Sequence, residues 1–376
     1  MFSYWEKKNF LKYDFIVIGA GFVGLSTAIH WSRKFPKSKV LILERGIFPN
    51  GASTKNAGFA CFGSLTELLD DFWQMTPPEV LDLVKRRYKG LESIRKEFGD
   101  RTIDYRPSKG FELIDASQLD ALDRIDEING FLKPIFKKPV FSLVPKRSRF
   151  GFSEKIKEIV QNQYEGELDP GKYVEALWKE ASRLGIKILT GVEVLSIDQD
   201  EGKLLAKNSF SEERIPFEAE KIAICTNAFA KNLIPDLDLE PGRGLVMTTK
   251  ELDFKIPWKG SFHMDQGYVY FRKVGNRLLI GGARNLDKET EQTLSNEINP
   301  KIKSHLIQLA EEIIFPGKSL EWDLEWTGIM AFGPKKVPII QEIGKRTFLA
   351  ARLGGMGVAV GWQVGKELST LIRKRN

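Results

Sequence analysis

Asp14-Phe-Ile-Val-Ile-Gly19-Ala-Gly21-Phe-Val-Gly24 is the stretch on which the reading of this chain turns. A short apolar run ends in three glycines spaced G-x-G-x-x-G, and helical periodicity follows from Val23 towards Trp31. The order strand, tight turn, helix is how a dinucleotide fold grips a pyrophosphate. Gly19 allows the turn, Gly21 lets the backbone approach the phosphates, and Gly24 lets the helix pack on the strand. N–H groups at the helix start then face the anion. A second apolar run, Lys39-Val-Leu-Ile-Leu-Glu44, ends in a carboxylate 20 residues after Gly24, where a ribose diol needs an acceptor. A glycine turn of no special purpose is the bland alternative, but strand, helix and acid agree on a dinucleotide. The pattern does not by itself separate FAD from NAD.

At 376 residues the chain exceeds one small core, so two domains or one large one are expected. Apolar residues make up 42% and charged ones 28%, the balance of a soluble globular protein. The opening Met-Phe-Ser-Tyr-Trp-Glu-Lys-Lys lacks the apolar core of a signal peptide, and no run reaches membrane-spanning length. The cytoplasm is the expected compartment. Two cysteines, Cys61 and Cys225, fit reducing surroundings and no disulfide framework. His30, His263 and His305 lie far apart in sequence without ligand spacing, so no metal site is expected. Ser/His or Cys/His pairs for an activated nucleophile are equally hard to assemble.

The net charge of +7 raises the question of a polyanion. It is sharpest over 129–153, which has no acidic residue. There Lys133, Lys137, Lys138, Lys146, Arg147 and Arg149 are interleaved with Phe131, Phe136, Phe141 and Phe150. A nucleic-acid surface carries bases and aromatics in this way. So does a solvated connection whose phenylalanines turn inward, and basicity alone names no partner. Nucleic acid is the lesser expectation.

The polar, glycine-studded loop 45–63 has hydroxyls, an amide and backbone N–H groups dense enough to line a phosphate or a ring edge. From Leu65 to about Phe98 apolar residues recur at helical spacing, broken at Pro77-Pro78, which predicts two helices. Gly110-Phe-Glu-Leu-Ile114 predicts a strand. Asp169 before Pro170 predicts the cap of an amphipathic helix over Tyr173 to Leu184. Strand patterns at 185–189, 191–197 and 221–228 imply that part of the first sheet arrives after an insertion. From Gly242 to Asn285 the pattern is antiparallel β. Tyr268, Tyr270 and Arg272 share one face of a strand, and Leu278, Ile280, Gly282 and Arg284 a face of the next. Helical spacing runs from about Glu291 to Ile314, interrupted at Pro300. Phe348 to Arg352 predicts a strand, followed by Leu353-Gly-Gly-Met-Gly357 and a helix to Ile372. Gly357, Gly361 and Gly365 share one face of that helix, which suits close approach of a backbone or a flat ring. Tight helix packing is the alternative.

With these pieces the chain resembles the flavoproteins of the D-amino-acid oxidase (DAO) family, in the branch of glycine oxidases, sarcosine oxidases and D-amino-acid dehydrogenases. The matching motifs begin with Gly19 to Gly24, Glu44-Arg45 with Gly51-Ala-Ser-Thr-Lys-Asn-Ala-Gly58, and Leu168-Asp-Pro170 with its helix. They continue through Gly191 to Val194, Pro241-Gly-Arg-Gly244, Trp326-Thr-Gly328 and Gly354 to Gly357. The resemblance selects FAD over NAD. It implies an α/β chain in which a Rossmann-like FAD-binding domain (1–75, 150–235 and 325–376) is interleaved with an α+β substrate domain (76–149 and 236–324). The latter would contain a mostly antiparallel sheet.

Carried over residue by residue, the resemblance puts Gly19, Gly21, Phe22, Val23 and Gly24 at the pyrophosphate and Glu44, with Arg45 beside it, at the adenosine ribose. Ser53, Thr54, Lys55, Asn56, Ala57 and Gly58 would line pyrophosphate and flavin, and Val194 would meet adenine through its backbone. Thr226 and Asn227 would pass the cofactor at a strand end. Gly354, Gly355, Met356, Gly357 and Val358 would lie beneath the flavin N1/O2 edge, where helix N–H groups stabilise the negative charge of the reduced ring. Tyr268 and Tyr270 are candidate walls of the substrate site.

The departures from the family pattern matter as much. Where amino-acid oxidases carry a carboxylate-clamping arginine after Trp-x-Gly, this chain has Met330. Leu279 stands where sarcosine oxidases have an oxygen-activating lysine, and no cysteine is present in the region where they attach flavin, so the FAD is expected to be non-covalent. Arg284 and Arg272 are substitute anchors for an anionic group, and Met330, Phe59 and Trp326 suggest an apolar pocket. The implied reaction is oxidation of a C–N bond of an amine or amino acid by hydride transfer to flavin N5, with the imine then hydrolysed. The electron acceptor would be oxygen or another carrier. A flavoenzyme acting on a modified tRNA base, or a flavin-binding electron-transfer subunit, is the alternative.

Overall fold

The strand Lys12–Ile18 lies inside an eight-stranded sheet, between Val40–Leu43 on one side and Arg214–Ile224 on the other, all three parallel. The computed structural model from which this is read describes residues 2–208, 211 and 213–374. Beyond Val40–Leu43 comes Lys187–Leu189, and beyond Arg214–Ile224 come Thr347–Ala351 and the antiparallel Ile339–Glu342. The antiparallel strands Lys203–Asn208 and Val192–Asp198 branch off Arg214–Ile224. The central strands read as unbroken apolar runs because both faces are covered. On one face the helices Phe22–Lys34, Pro77–Phe98, Pro170–Arg183 and Gly357–Arg373 contribute to a core around Phe15, Leu25, Tyr173 and Val364. On the other, Ile16, Leu41, Ile222 and Leu349 are buried with Ala228, Leu237 and Leu239.

A second sheet, also eight-stranded, runs in the order Trp322–Phe332, Glu240–Thr249, Arg277–Gly282, Val269–Val274, Ser261–Met264, Gly110–Asp115, Ile156–Asn162, Phe141–Leu143. Every neighbouring pair is antiparallel except Ser261–Met264 with Gly110–Asp115, so the sheet is mixed. Two of its strands, Ile156–Asn162 and Trp322–Phe332, come from stretches that the sequence division assigned wholly or mostly to the FAD-binding part. One face buries Phe262, Phe271, Leu278 and Ile280 under the helix Pro300–Leu309. The other face looks towards the first sheet and carries the candidate site.

Several local expectations meet the structure directly. Pro77-Pro78 separates the helices Leu65–Gln74 and Pro77–Phe98, and Asp169 caps Pro170–Arg183 by accepting from Lys172 N. The expected helix over 291–314 is shorter: it starts at Pro300, capped by Asn299, because Glu291 is drawn inside to meet Arg243. Phe136, Phe141 and Phe150 of the basic stretch 129–153 are buried, and Phe131 packs against the same core as the first two. No described helix is long and apolar enough to cross a membrane.

The glycine face of the last helix packs on the first. A Cβ at Gly361 would stand 2.9 Å from the Phe22 Cβ, and one at Gly365 2.5 Å from that of Ser26. Close helix packing, rather than a flat ring, explains these two positions. His30 lies in the same interface, with its ring 4.3 Å from that of Trp362 and Nδ1 2.8 Å from the Ser26 carbonyl oxygen. Burial, aided by Arg33 and Lys366 and opposed by the Ser26 bond, lowers its pKa from 6.5 to about 4. Folding therefore disfavours the proton. The stability this group contributes is complete above pH 6.5 and is lost as the pH falls towards 4. Acidification across that window is expected to remove about 2–3 kcal/mol. His30→Gln should flatten that part of a plot of Tm against pH; an unchanged slope would refute the assignment.

Candidate FAD and substrate site

The turn after Lys12–Ile18 is built as its glycines require. Gly19 has φ +99°, and a Cβ at Gly24 would overlap the Gly19 carbonyl oxygen outright. The helix Phe22–Lys34 starts at Gly21 with no side-chain cap, so backbone N–H groups at its start are open to an anion. Phe22 N is the exception, donating to Ser53 Oγ at 3.0 Å. Glu44 is buried and holds the turn: Oε2 accepts from Ala20 N and Oε1 from Gly46 N, each at 2.9 Å. Each oxygen keeps a lone pair for a diol. Arg45 covers the Phe229 ring at 4.3 Å and lies 3.9 Å from Glu193. Val194 pairs with Ala206 on the branch strands, two residues on from Val192, whose N–H donates to Glu44 O.

The loop 51–58 is more self-contained than its composition suggested. Thr54 Oγ1 donates to Pro49 O, while Asn56 donates to Ala52 O and Ser53 O and accepts from Gly58 N. These side chains shape the loop. Lys55 O accepts from Trp326 Nε1 at 3.0 Å, and Ala57 is buried with Val246 and Leu279. Gly58 has φ +72° and lies against the carbonyl of Leu168.

At the far end, Thr226 Oγ1 is buried without a hydrogen-bond partner, beside Gly19. Asn227 uses Oδ1 to hold Arg352 N at 3.1 Å, and Gly354 N donates to Ala331 O. Gly354 and Gly355 both have positive φ, and nothing lies within 4 Å of a Cβ built on Gly354. The helix Gly357–Arg373 that follows, with Met356 as its N-cap residue and Val358 in its first turn, also lacks a side-chain cap. Two uncapped helix starts, an orphaned buried hydroxyl and a glycine cradle fit an extended dinucleotide that spans from Gly21 to Gly355.

Facing this line is one row of the second sheet. Glu112, His263, Tyr270, Gly281, Val246 and Trp326 are cross-strand neighbours in register. Tyr270 lies over Gly281 and Gly282 and meets Phe59 edge-on at 5.5 Å. Burial pushes its hydroxyl pKa up to about 12, so it stays a neutral donor. Met330 lies against Gly244 and Gly355, its sulfur 3.5 Å from a Cβ built on the latter.

Two expectations about this face are corrected. Tyr268 is in a turn, not on the strand with Tyr270, and is 40% exposed. Arg284 follows Ala283, whose φ is +57°, and so leaves the strand that ends at Gly282. Its guanidinium stacks 4.0 Å from the Phe332 ring, and burial lowers its pKa, partly offset by Tyr268 and Glu291. Arg272 is unsuited to anchoring a substrate, because it binds Leu168 O at 3.1 Å and lies 3.6 Å from Glu167.

Residues 14–371 match the family model described as FAD dependent oxidoreductase (DAO). The chain belongs to the DAO family of FAD-dependent oxidoreductases. Its cofactor is accordingly FAD. The bifunctional protein ThiO/ThiG of Synechocystis sp. is 25% identical over 282 residues, 71% of this chain and 38% of the relative. The chain thus spans well under half the length of that curated relative. Glycine oxidase from Geobacillus kaustophilus superposes with a TM-score of 0.78 at 20% identity, covering 97% of this chain and 96% of that one. L-proline dehydrogenase from P. horikoshii gives 0.73 at 18% identity, with 97% and 94% covered. These likenesses show the DAO-family fold over 97% of the chain.

Sequence reasoning missed a buried polar cluster beside the row. Ser64 Oγ, Thr66 Oγ1 and Thr66 N donate to Glu112, while Glu165 Oε1 accepts from the N–H groups of Phe62 and Gly63. Nothing in sequence spacing links Glu165 with His263 or Cys61; only the register of three separate strands does. Cys225 is elsewhere, 3.9 Å from Thr27 Oγ1, and burial raises its thiol pKa to about 12.

Proposed function

We propose that this chain oxidises a C–N bond of a small amine or amino acid. The observation that carries the reading is the row Trp326, Val246, Gly281, Tyr270 and His263 turned towards the loop 51–58 and Gly355. Val246, Tyr270 and Trp326 of that row pack with Ala57 and Phe59, which gives an apolar, aromatic surface next to the cradle that suits FAD. Relatives named glycine oxidase and L-proline dehydrogenase support the same substrate class. The first sheet would carry the FAD and the second the substrate, with Ile156–Asn162 and Trp322–Phe332 counted in the second. The flavin would be non-covalent, the compartment the cytoplasm, and the final electron acceptor oxygen or another carrier.

Bound FAD supplies the two-electron acceptor for the C–H bond beside nitrogen. The chain's part is to orient and to exclude water. Phe59 and Tyr270 form a wall against solvent, and the Tyr270 hydroxyl donates without carrying charge. Met330 gives an apolar contact where a fixed cation would otherwise clamp a carboxylate. Arg284, half-buried just past the end of the glycine strand, would meet one. The product imine is hydrolysed by water after release.

Anaerobic mixing with a panel of amines and D- and L-amino acids tests the reading, with bleaching of the flavin as the signal. Arg284→Met should raise KM for carboxylate-bearing substrates about 10- to 100-fold, the worth of one charge-assisted hydrogen bond. Neutral amines should be unaffected. A panel that bleaches nothing refutes C–N oxidation. Equal losses for acids and amines refute the anchoring role alone.

A further inference from the structure

Cys61 follows the short strand Phe59–Ala60, Glu165 precedes Gly166–Glu167, and these two strands pair antiparallel, Ala60 opposite Gly166. The pairing puts Cys61 and Glu165 at the next position of the same ribbon. The ribbon end abuts the second sheet where His263 lies between Glu112 and Tyr270. Sγ, a carboxylate oxygen of Glu165 and a ring nitrogen of His263 all lie within 4.8 Å of one another, and all three residues are buried. His263 Nε2 and Glu165 Oε2 are 3.5 Å apart, and both are buried without a hydrogen-bond partner. Two orphaned polar atoms that face each other across such a gap call for something between them.

We propose that Cys61, Glu165 and His263 bind one divalent transition-metal ion, with zinc the best match. A thiolate, an imidazole and a carboxylate are the donors zinc takes, at about 2.0–2.3 Å, which sets neighbouring donors of a tetrahedron about 3.3–3.7 Å apart. The His263–Glu165 separation already has that value, and the thiol has at most about 1 Å to close. Phe62 N and Gly63 N hold Glu165 Oε1 and leave Oε2 directed at the gap, the kind of outer support that fixes a ligand.

Local charge agrees. Three carboxylates, Glu67, Glu112 and Glu165, act on the gap with Arg87 as the fixed cation beside it, an excess of two negative charges with His263 neutral. Arg87 pairs with Glu67, and Lys336 with Asp71. Among the described residues His263 is the only basic side chain within ion-pair distance of Glu165. A divalent ion offsets the remaining excess. It also ties the ribbon that carries Phe59 to the strand that neighbours Tyr270, and so fixes that aromatic surface from behind.

The test uses flavin-loaded protein incubated with Zn²⁺ and then passed over a chelating resin. Elemental analysis should give about one zinc per chain, and zinc K-edge absorption should show one sulfur among its ligands at about 2.3 Å. Cys61→Ser and Glu165→Gln, each judged only if its flavin content is that of the wild type, should retain less than about a tenth of that zinc. Glu165→Gln keeps the acceptor for Phe62 N and Gly63 N, so it serves where Cys61→Ser does not fold. Wild-type protein that keeps no zinc, an absorption edge with only nitrogen and oxygen ligands, or variants that keep as much as the wild type would each overturn the assignment. None of these readouts depends on turnover, so the site and the proposed reaction stand or fall separately.

Discussion

Gly24→Ala is expected to leave a protein that purifies with little or no flavin. The new methyl would overlap the Gly19 carbonyl oxygen and stand 3.3 Å from Val17 Cγ1. Relief requires the helix Phe22–Lys34 to move away from the strand. That helix is held from behind by Gly-faced packing against Gly357–Arg373, with Gly361 and Gly365 on Phe22 and Ser26. Neither side can give. Overpacking of this sort costs about 1–3 kcal/mol or more, and any shift also misaligns the N–H groups of the turn. Flavin per chain by absorbance and Tm by calorimetry would report both. Gly130→Ala is the control: it is a helical glycine with nothing within 4 Å of an added Cβ, so it should hold full flavin. Its Tm should rise slightly, by the roughly 1 kcal/mol that separates the two residues in a helix. A flavin-replete Gly24→Ala with wild-type Tm would show that the turn is not where the cofactor is gripped.

The second large effect is expected at Arg243, which is fully inside the protein. Its Nε and Nη2 form a two-pronged pair with Glu291 at 2.9 and 2.7 Å, and both side chains are under 5% exposed. Asn299 adds a third bond to Glu291 Oε1 at 3.0 Å. Arg243→Met removes both prongs and leaves a buried carboxylate with one amide for company. The expected loss is about 3–5 kcal/mol, or a Tm lower by about 4–6 °C at the shallow slope of a long chain. Adding Glu291→Leu should restore most of that loss, because two apolar residues together suit the site better than one orphaned charge. If the double variant is no more stable than the single one, the damage comes from lost packing and not from the unpaired charge.

The parts legible in the sequence were those with short-range signatures. The Gly19–Gly24 turn, the paired prolines at 77 and 78 and the Asp169 cap each fix local geometry through backbone chemistry, whatever the rest of the fold does. The face of the second sheet was legible only in part. Alternation put Tyr270 correctly, but Tyr268 and Arg284 lie just beyond strand ends, where the αL residues Gln266 and Ala283 turn the chain. Neither residue type announces that turn. Glu44, Asn56 and Asn227 also bond backbone groups of their own chain, a second use that composition does not reveal. The Cys61–Glu165–His263 cluster and the Arg243–Glu291 pair were invisible because they depend on long-range strand register, which no local pattern encodes.

The strand Thr347–Ala351 and the helix Gly357–Arg373 complete a sheet and a helix layer begun more than three hundred residues earlier by Lys12–Ile18 and Phe22–Lys34. A nascent chain therefore cannot finish its nucleotide half when the first βαβ turn leaves the ribosome. The apolar side of Phe22–Lys34 has to wait, shielded by transient contacts or a chaperone, until the closing segment is made. Folding of this enzyme should be slow, dependent on the distal segment, and hastened by free FAD only once that segment has docked.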